Sequence, residues 1–259
     1  MKFKPLIIKK KIFFLTKYFA DYGLGEIIKK KNLKKRKINE MEDRKPFQPE
    51  LDELYLLHKY IIFFKRMTIL EFGNGWSTLV MANAVSHNKK KYFEEAKKLR
   101  MNNAGEIHCL DNRSAWINKT KKKVKKFSRI SHFHYSKVYM DSYNGKICTS
   151  FEKIPNINPD FIYLDGPDQF NIKGKINSFN IGHNDLMPMT CDLLKIEHFL
   201  KPGTIIVVDG RAANSRFLKN NFQRNWQYYY NNVNDQHVFF LKEKPLGVLN
   251  KKQLKFYFN

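Results

Sequence analysis

The stretch TILEFGNGWSTLV, Thr68 to Val80, joins an apolar run to a second apolar run through an acid and two glycines. Thr68 to Phe72 is short, β-branched and aromatic, with little polar alternation, and reads as a strand covered on both faces. Gly73 and Gly75 remove side chains where the backbone must turn or approach a ligand closely. Ser77 and Thr78 offer side-chain oxygens to cap a helix that follows. Strand, glycine turn and helix together make the first half of a βαβ unit, although an isolated GxG is a weak signal.

Reading outward strengthens it. Three later runs also end in acid: EIHCLD at Asp111, DFIYLD at Asp165 and GTIIVVD at Asp209. Acids recurring at one edge of a sheet are hard to ascribe to core packing, and in doubly wound sheets ligands sit at that carboxyl edge. Helices are predicted at Leu51–Ile61, Thr78–Val85, Lys89–Arg100, Ser114–Phe127, Leu186–Phe199 and Asn214–Asn221. ISHFHYSKVYM, WQYYYNNV and QHVFFLKE read as further strands. Strands alternate with helices until the final pair. The expected fold is therefore α/β: a doubly wound, mostly parallel seven-stranded sheet with an antiparallel last strand and helices on both faces.

Residues 1–46 read as a basic helical extension, and 47–259 as the main domain. PLIIKKKIFFLTKYF places apolar residues near a broad helical face among lysines. Two roles compete for it: packing on the main domain or on a second subunit of a homodimer, and peripheral attachment to a membrane surface. Packing is favoured. Lysines break the apolar N-terminal stretch well short of the roughly 18–20 residues that span a bilayer, and no secretory cleavage site follows it. A cytoplasmic protein is expected, with the inner membrane face as the peripheral alternative. Cys109, Cys148 and Cys191 are odd in number, far apart in sequence and without CxxC spacing, so they are expected reduced and buried.

The chain of 259 residues carries a formal charge of +24. Lys, Asn, Ile, Phe and Tyr are abundant together, as an AT-rich genome supplies without selection for a partner. Charge alone therefore does not designate nucleic acid. The dense blocks Lys29–Lys37 and Lys119–Lys126 are read as solvated faces, or as surfaces favouring an anionic substrate or membrane.

With ILEFGNGWST and the four acid-ended strands in view, the chain resembles the class I S-adenosylmethionine-dependent methyltransferases over roughly Pro46 to Glu243. The reversed last strand, QHVFFLKE, matches that family's ending. The resemblance implies S-adenosylmethionine as cofactor. It implies that Glu71, Phe72, Gly73, Asn74 and Gly75, with Ser77 and Thr78, hold its methionine part. Asp111 would bind the ribose hydroxyls, and Asp165 would lie beside the transferable methyl. Two departures stand out. The interval from Gly75 to Asp111 is about twice the roughly 20 residues usual for such a unit, with SHNKKKYFEEAKKLRMNNAG apparently inserted. No clear adenine-contacting acid follows the third strand, Asp141 being the candidate. A nicotinamide-dependent dehydrogenase would want a glycine where Thr78 stands.

LDGPDQF carries one proline where DNA amino-methylating relatives carry two, and no cysteine stands in a pyrimidine-methylating motif. LDGP and VVDG instead resemble small-molecule O-methyltransferases, including the catechol type and bacterial proteins associated with sugars. In the catechol type a divalent metal is held by three ligands. Asp165 and Asp209 match two, while the third place is Gly210, so Mg²⁺ would need Asn214 or extra waters. Without a metal, His183 is the first candidate for general base. Arg211 would orient an anionic or sugar substrate through its fork of donors. Asp165, His183, Asp209 and Arg211 are thus the catalytic candidates. Asp168 and Asp185 flank GPDQFNIKGKINSFNIGHNDLMPM, a long aperiodic loop expected to serve as substrate lid. The favoured acceptor is a hydroxyl of a small polar or sugar-linked substrate. An RNA methyltransferase and a non-catalytic scaffold of the same fold are the alternatives.

Overall fold

The structure, a computed structural model, describes residues 3–6, 11–30 and 49–259. Ile7, Ile8 and the Lys-rich block beyond Lys30 lie outside them. Among the described residues no helix is long and apolar enough to cross a membrane.

The central sheet contains β1 (Thr68–Phe72), β2 (Glu106–Asp111), β3 (Ser131–Tyr135), β6 (Phe161–Leu164), β8 (Ile205–Asp209), β9 (Trp226–Asn231) and β10 (Gln236–Leu241). Their order is β3-β2-β1-β6-β8-β10-β9. β1, β2, β3, β6 and β8 run parallel, and β10 lies antiparallel between β8 and β9. The expected sheet is therefore present, and its reversed strand is last in sequence without being at the edge. β4 (Val138–Tyr143), β5 (Lys146–Phe151) and β7 (Ile172–Lys173) form a separate three-stranded sheet.

Period-two alternation sorts the strand residues into two cores. Ile69, Ile107, Phe161, Tyr163, Ile205, Val207, Val238 and Phe240 face one layer, which contains α3 (Leu51–Phe63) and α4 (Trp76–Ala96). Leu70, Phe72, Leu110, Ile162, Leu164, Ile206, Val208 and Phe239 face the other, with α6 (Asp192–Ile196) and α7 (Ala212–Asn221). The inner strands are mostly apolar because both of their faces are covered, with Glu71, His108 and Gln236 as buried polar exceptions.

Near the N-terminus, α1 (Ile12–Asp21), α2 (Gly25–Lys30) and the turn between them contribute Leu15, Phe19, Leu24 and Ile27 to the first core. Tyr18 Oη meets His58 Nδ1 of α3 at 2.7 Å. Phe3 to Leu6 is not helical, so the helix expected across PLIIKKKIFF begins at Ile12. Phe3 instead stacks on Phe240 at 4.5 Å. Along α1, Ile12, Phe13 and Phe14 stay exposed.

Several boundaries differ from expectation. The two helices predicted after the glycine turn are one, α4, because the polar residues between them do not interrupt it. Asn88 is buried and donates to the carbonyls of Ile61 and Arg66 at 2.8 and 2.9 Å, so it tethers the helix. The apparent insertion is largely the second half of α4. ISHFHYSKVYM is split between β3 and β4, and an additional strand, β5, pairs back on β4. The missed signal was Asn144-Gly145, whose φ values of +49° and +74° form the tight hairpin turn that Asn-Gly favours. The helix expected from Leu186 starts only at Asp192. Pro188 disfavours helix before it, and Thr149 and Cys191 link the segment to β5 by backbone hydrogen bonds. The chain closes with α8 (Gly247–Phe258), which packs Leu254, Phe256 and Tyr257 on Met67 and Ala96.

All three cysteines are buried free thiols, as expected. Cys148 and Cys191, distant in sequence, lie in the same core.

At the end of the sheet opposite the acids, fully buried Arg66 donates to the carbonyls of Gly203 at 2.9 Å and Asp160 at 3.2 Å. It lies over the Tyr257 ring at 4.3 Å. The Asp160 carboxylate in turn accepts the Met67 and Thr68 amides. Arg66→Ala should leave that carboxylate buried without its counter-charge and lower stability by about 3–5 kcal/mol. Denaturant titration checks this: the midpoint should fall with the slope unchanged.

Candidate functional site

Strand order turns back between β1 and β6, the position where a doubly wound sheet opens a crevice. Phe72 pairs with Leu164, so the turns leaving the two strands lie side by side. Their backbones touch. A Cβ built on Gly166 would fall 2.6 Å from Gly73 N, and Gly73 itself has φ +99°. Neither turn can retreat without breaking its strand. Gly166→Ala should therefore cost about 1–3 kcal/mol as an overpacking change, measured by equilibrium unfolding. At Gly75 a Cβ meets nothing within 4 Å, so the space beside that backbone is open.

Glu71 is fully buried behind the turn. Its carboxylate accepts from Ser77 Oγ at 2.5 Å, Thr78 Oγ1 at 2.6 Å and Cys109 Sγ at 3.1 Å. Burial pushes its pKa up to about 7, against the lowering effect of these donors. Thr78 Oγ1 also accepts the Gly75 amide at 2.9 Å. Glu71, Ser77 and Thr78 thus brace the glycine turn from within.

Asp111 ends β2 and is nearly buried. One carboxylate oxygen accepts Asn74 Nδ2 at 2.5 Å and the other accepts the Arg113 amide at 2.7 Å. Burial raises its pKa to about 7. Nearby, Asn74 Oδ1 and Asn112 Oδ1 are buried without a hydrogen-bond partner. Buried orphan acceptors are costly, so this edge is left with capacity for a donor-bearing ligand.

Asp165 and Asp209 end the neighbouring strands β6 and β8, one step past the Leu164–Val208 pair. Asp165 is about half exposed, and Arg211 Nε stands 3.7 Å from its carboxylate. The Arg211 guanidinium donates to the carbonyls of Asp165 and Pro167, so its fork holds the turn after β6. Asp209 is pushed up to about 8, chiefly by burial and then by the Asp165 and Glu50 carboxylates. Glu53, in the first turn of α3, bonds the Tyr163 hydroxyl and is raised by burial and by Asp209.

Two of these residues escaped the sequence reading. Glu53 looked like an ordinary acid in a helix first turn. Gln236 opens β10 and pairs directly with Asp209, so the two side chains share a sheet face. It is fully buried, and neither its Oε1 nor its Nε2 has a partner. No sequence signal marks it, since only the antiparallel register sets it beside Asp209.

The long loop is tied down. Asn112 and Asn171 exchange hydrogen bonds with each other's carbonyls at 3.1 and 2.7 Å, and Arg113 pairs with Asp168. Gln169 Nε2 donates to the carbonyls of His183 and Leu186 at 3.0 and 2.8 Å. Within the loop His183 is 64% exposed, and its Nδ1 accepts the Asp185 amide at 3.2 Å.

The donor set does not fit a divalent metal at Asp165 and Asp209. Asn214, the suggested third ligand, is fully buried and engages both the amide and the carbonyl of Thr190. Among the described residues no third His, Cys, Asp or Glu closes on the pair. Asp141, the candidate for adenine contact, is held in the small sheet by Lys195 and by Ser150 Oγ at 2.5 Å.

No family model and no curated protein matches the sequence. Solved structures similar to it include an O-methyltransferase from Bacillus cereus in complex with SAH, 12% identical with a TM-score of 0.46, covering 88% of this chain and 97% of that one. A putative O-methyltransferase from Klebsiella pneumoniae is 12% identical with a TM-score of 0.46, covering 89% and 96%. A putative caffeoyl-CoA O-methyltransferase from Staphylococcus aureus is 13% identical with a TM-score of 0.42, covering 88% and 99%.

Proposed function

We propose that this protein is an S-adenosylmethionine-dependent methyltransferase acting on a hydroxyl of a small polar or sugar-linked acceptor. One observation carries the reading. Asn74 of the glycine turn after β1 bonds Asp111 at the end of neighbouring β2, in a sheet that turns back between β1 and β6 and whose one reversed strand comes last in sequence. A ribose needs a carboxylate at that place, and the orphan oxygens of Asn74 and Asn112 suit a ligand rich in donors.

The cofactor, when bound, supplies an electrophilic sulfonium methyl. The backbone from Phe72 to Gly75 would lie against its methionine part, with Glu71, Ser77 and Thr78 fixing the turn. Asp111 would accept the ribose hydroxyls. Asp165, the most open of the strand-end acids, would stand beside the methyl. Asp209 would take the acceptor's proton as the new O–C bond forms and the sulfur keeps the electron pair of the broken C–S bond. A base poised near the working pH is the efficient choice, which favours Asp209 over the solvated His183. Gln236 would hold the acceptor hydroxyl, and Arg211 would position Asp165. The loop bearing Asp168, His183 and Asp185 would cover a polar acceptor. No step needs a metal.

Calorimetric titration with S-adenosylmethionine and, separately, NAD tests the proposal. Micromolar binding of the first and none of the second is expected. NAD binding, or no S-adenosylmethionine binding by a folded sample, would overturn it.

A further inference from the structure

Away from the acid-ended edge of the sheet, β2 and β3 carry a second cluster. Glu106 and His108 are two apart on β2, and His132 and His134 are two apart on β3. Side chains two apart on a strand share a face, and the parallel register sets His108 beside His132. All four therefore converge on one face at the sheet edge. Glu106 Oε2 lies 3.1 Å from His108 Nε2 and 3.7 Å from His132 Nε2. Three candidate ligand atoms, one each from Glu106, His108 and His132, all fall within 4.8 Å of one another. Ligands bound tetrahedrally at about 2.0–2.1 Å would be roughly 3.3 Å apart, so little movement is needed to close a shell.

Two further details point to a ligand. The His132 ring is 41% exposed, yet its Nε2 is buried and has no hydrogen-bond partner. That leaves an imidazole nitrogen 3.7 Å from the Glu106 carboxylate without a hydrogen bond to it. On the other side of His108, Nδ1 lies 3.1 Å from His134 Nε2. A ligating histidine characteristically donates its second ring N–H to a hydrogen-bond acceptor, which fixes the tautomer and ring orientation, and His134 Nε2 stands where that acceptor would be. Asn103 Nδ2 steadies Glu106 Oε2 at 2.9 Å in the same way.

We propose that Glu106, His108 and His132 form a binding site for a four-coordinate divalent transition metal, Zn²⁺ by preference. The set of two imidazoles and one carboxylate suits that ion. A water fills the fourth position, and His134 and Asn103 act as positioning residues. The ion would staple edge strand β3 to β2, at an edge where, among the described residues, β3 has no further strand beyond it. This site is independent of the methyl-transfer reading.

The test uses the full chain without a histidine tag, stripped with EDTA and titrated with ZnCl₂ by calorimetry, alongside absorption spectra with CoCl₂. One Zn²⁺ per chain and the intense visible bands of four-coordinate Co²⁺ are expected. His132→Ala, at a partly exposed position, should weaken Zn²⁺ binding more than about a hundredfold, and His134→Ala by about 10–100-fold. Zn²⁺ should raise the melting midpoint of the native chain and leave that of His132→Ala unmoved. Asp209→Asn should bind as the native chain does. Absence of binding, the weak bands of six-coordinate Co²⁺, or unchanged affinity in His132→Ala would overturn the proposal.

Discussion

Asp111→Ala should weaken S-adenosylmethionine binding by roughly 10²–10⁴-fold, since two hydrogen bonds to a charged carboxylate contribute about 1.5–3 kcal/mol each. Titration calorimetry of the variant reads this directly. The fold should survive, because Asp111 sits at a strand end and its present donors, Asn74 and the Arg113 amide, can turn to water. The same carboxylate gives the binding a pH dependence. Burial raises its pKa to about 7, and ribose hydroxyls donate to the ionised form. Affinity should therefore fall about tenfold between pH 8 and pH 6, a dependence that Asp111→Ala removes. Equal affinity in the variant would remove Asp111 from the cofactor site.

Stability without cofactor should run the other way. Asp111, Glu71 and Asp209 are all raised in the fold, to about 7, 7 and 8. Between the ordinary carboxylate range and those values the folded chain holds more protons than the unfolded one. Each group thus makes folding less favourable as pH rises through that interval.

Asp209→Asn should lower kcat by about 10²–10⁴-fold, the usual contribution of a general base, with the KM for S-adenosylmethionine little changed. Asn keeps the shape and loses the ability to take a proton. In the native chain the rate should climb with pH up to about 8, where Asp209 ionises. Asp165 and Glu53 lie within electrostatic reach, so that limb belongs to the group of acids rather than to one residue. Asp209→Asn should flatten it. A persisting limb would move the base elsewhere, with His183 next in line.

The glycine turn and the strand-end acids were legible because they obey local rules. A buried parallel strand is mostly apolar, a turn packed backbone to backbone must be glycine, and a solvent-facing sheet edge tolerates acids that a core does not. The small sheet was legible in principle through Asn144-Gly145. The length of α4 was not, because the buried tether of Asn88 reaches Ile61 of α3 and Arg66 of the connection that follows it. Arg211 and Asn214 had the right residue types in the right segments, yet the structure gives their donors to Pro167 and Thr190.

The sequence by itself determined the alternation of strands and helices in the main sheet and the acids that end its strands, since each follows from spacing along one segment. Tertiary structure alone decided which polar atoms remain available. Gln236 meets Asp209 only through antiparallel register, and Glu53 nears the acids only because α3 packs on the sheet. Glu106 and the histidines meet only through parallel pairing of β2 with β3. Such contacts join residues far apart in the chain, and hydrogen-bonding capacity is fixed by neighbours in space that no local pattern encodes.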